Sequence, residues 1–252
     1  MSALRGMHHS NILNMSSRNS AKTPNLGDVH STKDESIENI SIKKVTEPGQ
    51  IVTVSSTMFG GKSVYALHMM ESRTKAYQRL YGKQKVVAYI NHCLDNRDGE
   101  DAPFSTHSEI ISPEALDKIG VTHCKASNLS NIDDAFISRH KVIFIDEAQF
   151  FTDLVERVLY IAETLGVDVY AMGLTTDYRR QIFGKLGYLS LIADESITLR
   201  TTFCGFCANK GIMKKAVHSH RIDDSSGAQI EIGSSNYVAV CRKCYIEHNP
   251  TL

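Results

Sequence analysis

QIVTVSSTMFGGKSVY, residues 50–65, passes from a β-branched run through a glycine pair into a helical pattern. It differs at one position from the Walker A phosphate loop G-x-x-x-x-G-K-[ST], because Ser56 stands where that pattern begins with glycine. Gly61, Lys62 and Ser63 match, and the strand-loop-helix order is the context in which backbone N–H groups surround phosphates. Such a loop predicts Lys62 on the terminal phosphates and the Ser63 hydroxyl on Mg²⁺. The alternative is a Gly-Gly turn before an ordinary helix, with a solvated lysine.

The composition is typical of a globular protein that functions in water. The chain has 252 residues, 42% of them hydrophobic, and its 28 Lys and Arg residues equal its 28 Asp and Glu residues. This even balance disfavours a dedicated nucleic-acid binder, which needs a basic excess to neutralise phosphates. No apolar run approaches the roughly 20 residues of a membrane helix, and the amino terminus lacks the apolar stretch of a secretory signal. We therefore expect a cytoplasmic protein that binds neither membrane nor nucleic acid.

The character of the sequence divides the chain into three parts. Residues 1–45 are rich in polar residues and lack sustained apolar periodicity, which predicts a disordered polar tail. Residues 46–198 alternate short β-branched runs with helical patterns, and we predict a P-loop nucleotide-binding α/β domain there. In residues 199–248 two cysteine pairs bracket turn residues and alternating residues, which predicts a small zinc-binding domain with an extended loop or hairpin.

Near-continuous apolar runs in the middle part predict strands of a parallel sheet that is buried on both faces. After the first strand, these runs occur at residues 85–91, 141–146 and 167–174. Between the last two, DLVERVLYIAETLG (153–166) places apolar residues on one side at helical spacing and ends in glycine. This order is a β-α-β unit, so the sequence predicts an α/β fold with a parallel sheet flanked by helices.

KVIFIDEAQFF (141–151) places two carboxylates at the end of a predicted strand. The carboxyl ends of parallel strands share one edge of the sheet, so Asp146 would lie beside the phosphate loop, where a Walker B carboxylate holds Mg²⁺. Glu147 follows, and a carboxylate there can accept a proton from an attacking hydroxyl. Asp95 and Arg97 follow the second strand, where an arginine can neutralise a transferring phosphoryl group. The alternative for both loops is a solvated turn.

Four of the six cysteines form two C-x-x-C pairs separated by 33 residues. In a chain without an export signal this arrangement favours metal binding over disulfides, and two thiolate pairs complete the tetrahedral shell of a structural zinc. The alternatives are two reduced turns or a redox pair. Cys93 and Cys124 are left over, and we expect both to pack in the core. The predicted zinc ligands are Cys204, Cys207, Cys241 and Cys244.

Several motifs occur in a fixed order between residues 50 and 246. They are MFGGKS (58–63), DNR (95–97) with STH (105–107) downstream, DEAQFF (146–151), DYRRQIFG (177–184), ADES (193–196) and NYVAVCRKCY (236–245). In this order they resemble the zinc-containing P-loop type of thymidine kinase. The resemblance implies a RecA-like P-loop sheet flanked by helices, with a small zinc-binding lasso domain.

The resemblance also implies a reaction and its cofactors. Members of the family transfer the γ-phosphoryl group of ATP to the 5′-hydroxyl of thymidine or deoxyuridine, giving the monophosphate and ADP. The implied cofactors are ATP, Mg²⁺ and structural Zn²⁺, and Glu147 is implied as the catalytic base. The implied ATP and magnesium site consists of Ser56, Thr57, Met58, Phe59, Gly60, Gly61, Lys62, Ser63, Asp95, Arg97, Asp146 and Gln149.

The implied nucleoside site lies under a lasso-like loop tied by zinc. Family members hold the thymine ring there, largely through backbone groups. The residues implied at the base and over the nucleoside are Met58, Phe150, Leu174, Tyr178, Ile230, Glu231, Ile232, Gly233 and Tyr237. Without the resemblance, the apolar ones among them would be ordinary core residues. The resemblance further implies a homotetramer and feedback inhibition by thymidine triphosphate.

The chain departs from the family pattern at several places. The family usually reads G-P-M-F-[SA]-G-K-[ST], and this chain has Ser56 and Thr57 in place of Gly-Pro. Where the family reads G-L-D-G-[DT]-F, this chain has Thr175 and Thr176 in place of Asp-Gly. Lys214 aligns with a threonine that commonly contacts the base, and burying an unpaired lysine there would be costly. Two alternatives to an active kinase stay open: a non-catalytic relative that binds nucleotide, and a RecA-like ATPase whose zinc module binds nucleic acid.

Overall fold

The structure is a computed structural model, and it describes residues 47–82, 85–94, 111–223, 227–230 and 236–249. The predicted polar tail lies outside these residues. Among them, no helix combines the length and the apolar character that crossing a membrane would require. The predicted division between residues 198 and 199 stays a prediction.

Six strands form the main sheet. In chain order they are β1 (Ile51–Ser56), β2 (Val87–His92), β3 (Thr122–Ala126), β4 (Val142–Ile145), β5 (Asp168–Gly173) and β6 (Glu195–Leu199). Their spatial order is β3-β2-β4-β5-β1-β6, and every neighbouring pair is parallel. The predicted α/β fold with a parallel sheet is therefore confirmed.

Helices connect the strands and cover both faces of the sheet. The helices of the described residues are α1 (Lys62–Tyr81), α2 (Pro113–Lys118), α3 (Asp134–Ser138), α4 (Leu154–Leu159), α5 (Leu186–Ile192), α6 (Gly205–Ala208) and α7 (Arg242–His248). Helix α4 continues into a π-helical turn, Tyr160–Thr164, so the predicted amphipathic helix is present but is wider in its second half. The Ala162 carbonyl in this turn accepts from the backbone N–H of Gly49, 2.9 Å away, just before β1.

The core consists of one apolar layer on each face of the sheet. Val52 and Val54 of β1 belong to the layer that includes Ala66 and Met70 of α1, whereas Ile51 belongs to the layer beneath α4 and α5. Neighbouring residues of a strand point to opposite faces, so β1 contributes to both layers. Because β1, β4 and β5 are parallel neighbours, their carboxyl ends meet at one edge of this sheet.

The cysteine-rich part contains a second, smaller sheet. Strands β7 (His218–Arg221) and β8 (Tyr237–Val240) pair antiparallel, with His218 opposite Val240. This pair matches the predicted hairpin-like segment. The prediction that both leftover cysteines pack in the core is wrong for Cys93, which is exposed because it lies in the turn after β2, while Cys124 is partly buried.

Candidate active site

Residues 57–61 join β1 to α1 in a tight loop. The Gly60 N–H donates to the Thr57 carbonyl at 3.0 Å, and Phe59 and Gly61 take left-handed φ angles of 59° and 85°. A left-handed φ is uncommon for a residue with a side chain, so the conformation of Phe59 has to be held by the surrounding structure. Ser56 donates its hydroxyl hydrogen to the Thr57 carbonyl at 2.6 Å, and its oxygen lies 3.4 Å from Lys62 Nζ.

A cavity of about 210 Å³ opens at this loop, and we call it the phosphate cavity. Loop and helix residues form one wall, and residues at the ends of β4 and β5 form the other. The predicted residues that line it are Met58, Phe59, Gly60, Gly61, Lys62, Ser63, Asp146, Glu147 and Leu174. The structure therefore brings Gly61, Lys62 and Ser63 together with the two carboxylates.

Asp146 is buried directly after β4. The Tyr89 hydroxyl donates to its Oδ2 at 2.6 Å, and the Glu147 N–H donates to its Oδ1 at 2.9 Å. Burial, and next the neighbouring Glu147 carboxylate, raise the pKa of Asp146 to about 6, while Tyr89 and Lys62 oppose the rise. A divalent cation bound here would favour the ionised form of the Asp146 carboxylate, so Asp146 fits the role of a magnesium ligand.

Glu147 is buried, 3% exposed, and its backbone is left-handed with φ of 48°. Such a backbone costs about 1–3 kcal/mol in a residue other than glycine and is concentrated at functional sites. Gln149 Nε2 donates to Glu147 Oε2, and Gln149 Oε1 accepts from the backbone N–H of Leu174 at 3.0 Å. The Gln149 amide thus fixes the Glu147 carboxylate relative to the end of β5.

A second, mostly apolar cavity adjoins the phosphate cavity, and we call it the apolar cavity. The residues that were predicted for the nucleoside and line it are Met58, Phe150, Leu174, Tyr178, Ile230 and Tyr237. The Phe150 and Phe183 rings meet edge to face, with centroids 5.6 Å apart. Met58, Glu147 and Leu174 line both cavities, so they form a shared wall between them.

Some predicted residues lie elsewhere. Gln149 lines the apolar cavity and not the phosphate cavity, and Ser56 and Thr57 line a third cavity. Lys214 is exposed and is absent from the residues that line the apolar cavity; its carbonyl accepts from the Cys204 N–H at 2.7 Å. The family position with which Lys214 aligns therefore does not line the apolar cavity in this chain. Five predicted residues lie outside the described ones: Asp95, Arg97, Glu231, Ile232 and Gly233.

Sequence reasoning missed several residues of the apolar cavity. Phe183, Asp177 and Gln229 line it, and Gln229 Nε2 donates to Asp177 Oδ2 at 2.9 Å. Phe183 and Asp177 belong to the quoted DYRRQIFG motif, which was a signal that could have found them. Ser219 also lines the cavity, and no motif marks it.

Two hydrogen bonds tie the cysteine-rich part to the phosphate loop. Ser219 Oγ on β7 accepts from the buried Met58 N–H at 3.0 Å. Thr201, just before the first cysteine pair, donates its hydroxyl to the Gly60 carbonyl at 2.8 Å. The loop is therefore supported from outside the strand and helix that carry it.

The four cysteines of the two C-x-x-C pairs converge. Each is buried, and their sulfur atoms lie within 4.8 Å of one another, with Cys207 Sγ 3.6 Å from Cys244 Sγ and 3.8 Å from Cys241 Sγ. Four sulfurs about 2.3 Å from a central zinc would stand roughly 3.8 Å apart, whereas a disulfide needs about 2.05 Å. The cluster fits a tetrahedral zinc site and does not fit disulfides.

The chain from the phosphate loop to the second cysteine pair is similar in sequence to known proteins. The sequence model of the family described as thymidine kinase matches residues 49–245. The thymidine kinase of raccoon poxvirus is 31% identical over 198 residues, covering 79% of this chain and 97% of that protein. Thymidine kinase a of Arabidopsis thaliana is 30% identical over 205 residues, 80% of this chain and 76% of that protein. The thymidine kinase of Mycoplasma mobile is 29% identical over 201 residues, 79% and 88% respectively. The chain therefore belongs to the thymidine kinase family.

Proposed function

We propose that this chain is a thymidine kinase, which transfers the γ-phosphoryl group of ATP to the 5′-hydroxyl of thymidine or deoxyuridine. The observation that carries the proposal is the position of Glu147 in the wall shared by the phosphate cavity and the apolar cavity. A carboxylate at that place can reach a hydroxyl held in one cavity and aimed at a phosphate held in the other.

On the donor side, the phosphate loop holds the ATP phosphates. Its N–H groups and the ammonium of Lys62 neutralise charge on the β- and γ-phosphates, as in other P-loop enzymes. The Ser63 hydroxyl and the Asp146 carboxylate would hold Mg²⁺, which supplies positive charge to the same phosphates when bound. We assign Asp95 and Arg97 to this side as well, on the family resemblance.

On the acceptor side, the apolar cavity holds the nucleoside. Phe150 and Tyr178 contact the base, and the segment from Ile230 to Gly233 closes over it together with Tyr237, as the resemblance implies. Glu147 accepts the proton of the 5′-hydroxyl while that oxygen forms a bond to the γ-phosphorus and the bond to the ADP oxygen breaks. Gln149 keeps the Glu147 carboxylate in place during this step.

The cysteine cluster would hold a structural Zn²⁺, because it provides four thiolates and leaves no open position for chemistry. Metal analysis of the purified protein tests this assignment. About one zinc per chain is expected, and Cys241→Ser should lose both the metal and folded protein.

Assembly and regulation follow from the resemblance. We propose a cytoplasmic homotetramer that thymidine triphosphate inhibits by occupying the site. Light scattering of the purified chain tests the tetramer. A competition experiment, in which added thymidine relieves inhibition by the triphosphate, tests the shared site.

The decisive experiment measures phosphorylation of the four deoxynucleosides and deoxyuridine with Mg-ATP. Thymidine and deoxyuridine should give the monophosphate, and Glu147→Gln should not. ATP binding without any product would indicate a non-catalytic relative. ATP hydrolysis that DNA or RNA stimulates, without nucleoside phosphorylation, would instead indicate a nucleic-acid-dependent ATPase.

A further inference from the structure

A third cavity, of about 250 Å³, is lined by Ser56 and Thr57 at the start of the phosphate loop but not by Lys62 or Ser63. A cavity needs only roughly 10–15 Å³ by the same measure to hold one water molecule, so this one can hold a polyatomic ion. Hydroxyl residues line it at the ends of three strands: Ser55 and Ser56 at the end of β1 with Thr57 after it, Thr175 and Thr176 after β5, and Thr198 on β6. We call it the hydroxyl cavity.

The charges around the hydroxyl cavity are all positive. Arg180 and Arg200 line it together with the imidazole of His218, and none of its lining residues is acidic. The chain as a whole has equal numbers of acidic and basic residues, so this local excess is a property of the site. Cations that converge without a carboxylate repel one another, and an anion between them would remove that repulsion.

Arg200 and His218 have no acidic partner among the described residues. Arg200 makes no ion pair with any residue in the part of the chain that the structure describes. His218 Nε2 is buried and has no hydrogen-bond partner within that part. Burial first, and then Arg242, Arg180 and Arg200, lower the pKa of His218, so the arginines lie near its ring. Arg180 lies over the Tyr245 ring at 4.6 Å, which fixes its guanidinium at the cavity.

The hydroxyl groups complement the cations. Ser219, which also lines the cavity, accepts a hydrogen bond from the Met58 N–H, so its own hydroxyl hydrogen is available to donate. An oxyanion accepts hydrogen bonds and donates none when fully ionised, and it is held best by charged donors and hydroxyls together. The cavity therefore has the donor set of an oxyanion site.

Four of the lining residues are the ones at which this chain departs from the family pattern. Ser56 and Thr57 stand in place of Gly-Pro, and Thr175 and Thr176 stand in place of Asp-Gly. These pairs are more than a hundred positions apart in the sequence, yet they meet at one cavity. Together they bring four hydroxyl side chains to it, where the family pattern has glycine, proline, aspartate and glycine.

We propose that the hydroxyl cavity binds a phosphate-class oxyanion, either as the free ion or as the phosphate group of a small monoester, separately from the nucleotide in the phosphate cavity. Arg200 is its principal charged ligand, and His218, Ser219 and Thr176 are polar ligands. The site does not depend on the proposed kinase activity, because neither Glu147 nor Asp146 lines it.

The test is calorimetric titration with inorganic phosphate in a Lys62→Ala background, which weakens phosphate binding at the phosphate loop. The background protein should show saturable binding, and adding Arg200→Gln should weaken it about tenfold, as expected for the loss of one charged hydrogen bond. Arg79→Gln is the matched control, since Arg79 is exposed in the last turn of α1 and outside all three cavities. It should leave the affinity unchanged.

A second readout locates the ion. Imidazole NMR resonances of His218, assigned with His218→Gln, should shift on phosphate addition in the background protein but not in the Arg200→Gln variant. Sulfate and glycerol 3-phosphate in separate titrations distinguish a free oxyanion from a monoester. The proposal is overturned if none of the three anions binds saturably, or if binding survives Arg200→Gln and leaves the His218 resonances unmoved. Denaturation midpoints verify that each variant is folded, and His218→Gln replaces Arg200→Gln if the latter is not.

Discussion

Ser56 and Gly60 share one space in the phosphate loop: a Cβ atom on residue 60 would lie 2.5 Å from the Cβ of Ser56. Real Cβ contacts are essentially never that short, so the serine side chain requires glycine four residues later. The family pattern has the opposite arrangement, with glycine first and serine or alanine at residue 60. The departure at Ser56 is therefore matched by a second departure, and the loop keeps one small side chain in that space.

Gly60→Ser should damage the loop when Ser56 is present. Overpacking of this kind costs about 1–3 kcal/mol, and displacement of the loop should raise the KM for ATP about tenfold. Combining Gly60→Ser with Ser56→Gly should restore part of the loss, because the contact with the Ser56 side chain is then gone while the Thr57 carbonyl, 2.8 Å from the new Cβ, remains. A double-mutant cycle on denaturation free energy and on KM measures the coupling.

The Ser56→Gly single variant is the control for that cycle, since it relieves no clash and removes only the Ser56 side chain, whose hydroxyl donates to the Thr57 carbonyl and lies 3.4 Å from Lys62 Nζ. It should change KM much less than Gly60→Ser does. Purely additive effects of the two substitutions would show that the residues do not share this space.

Glu147→Gln should lower kcat by about 100- to 10,000-fold, because glutamine cannot accept the proton of the attacking hydroxyl. Affinity for ATP should stay nearly constant, since the phosphate loop is untouched. Steady-state kinetics with thymidine and calorimetry with Mg-ATP measure the two quantities. Glu163→Gln, an exposed glutamate outside the described cavities, is the matched control. Full activity in Glu147→Gln would remove Glu147 from the mechanism.

Ser219→Ala should loosen the phosphate loop from outside. The substitution leaves the buried Met58 N–H without its acceptor, which costs about 1–3 kcal/mol in unfolding free energy. The KM for ATP should rise several-fold with a smaller change in kcat, and Ser219→Thr, which keeps the hydroxyl, should restore it. Ser138→Ala at the exposed end of α3 serves as the control. An unchanged unfolding free energy in Ser219→Ala would contradict the prediction.

Asp153→Asn should lower stability in a pH-dependent way. The Asp153 carboxylate accepts from Leu129 N at 3.1 Å, Ser130 N at 2.8 Å and Ser130 Oγ at 2.6 Å. Burial alone would raise the pKa of Asp153, but these hydrogen bonds outweigh it and lower the pKa. A lowered acid pKa contributes stability above the unfolded value of about 3.9, and this contribution is lost as the pH falls through the folded value.

The variant should therefore be about 1–3 kcal/mol less stable at pH 7, and the difference should shrink below about pH 4. Urea denaturation at pH 7, 5 and 3 measures it. Asp133→Asn is the control, because asparagine caps a helix as well as aspartate does. A stability difference that stays constant across this pH range would show that the charge of Asp153 contributes nothing.

Much of the sheet was predictable from the sequence, and the two strands that were not predicted, β3 and β6, show why the rest was not. The buried strands β1, β2, β4 and β5 consist of apolar runs that a pattern can detect. Strand β3 reads THCKA and is mostly half-buried, and β6 reads ESITL and is largely exposed at the sheet edge. Edge strands owe their conformation to backbone pairing with a neighbour, which leaves little trace in side-chain composition.

The residues of the candidate site also fall into those that the sequence could predict and those that it could not. The phosphate loop, Asp146 and Glu147 could be predicted because short contiguous motifs carry them. Ser219 could not, because its contact with Met58 joins positions 161 residues apart.

The wall of Met58, Glu147 and Leu174 has one more consequence. Because the Glu147 carboxylate lies in the wall of both cavities, it can also accept a proton from a water molecule when no nucleoside is bound. We therefore expect slow ATP hydrolysis in the absence of nucleoside, which saturation with the nucleoside should suppress.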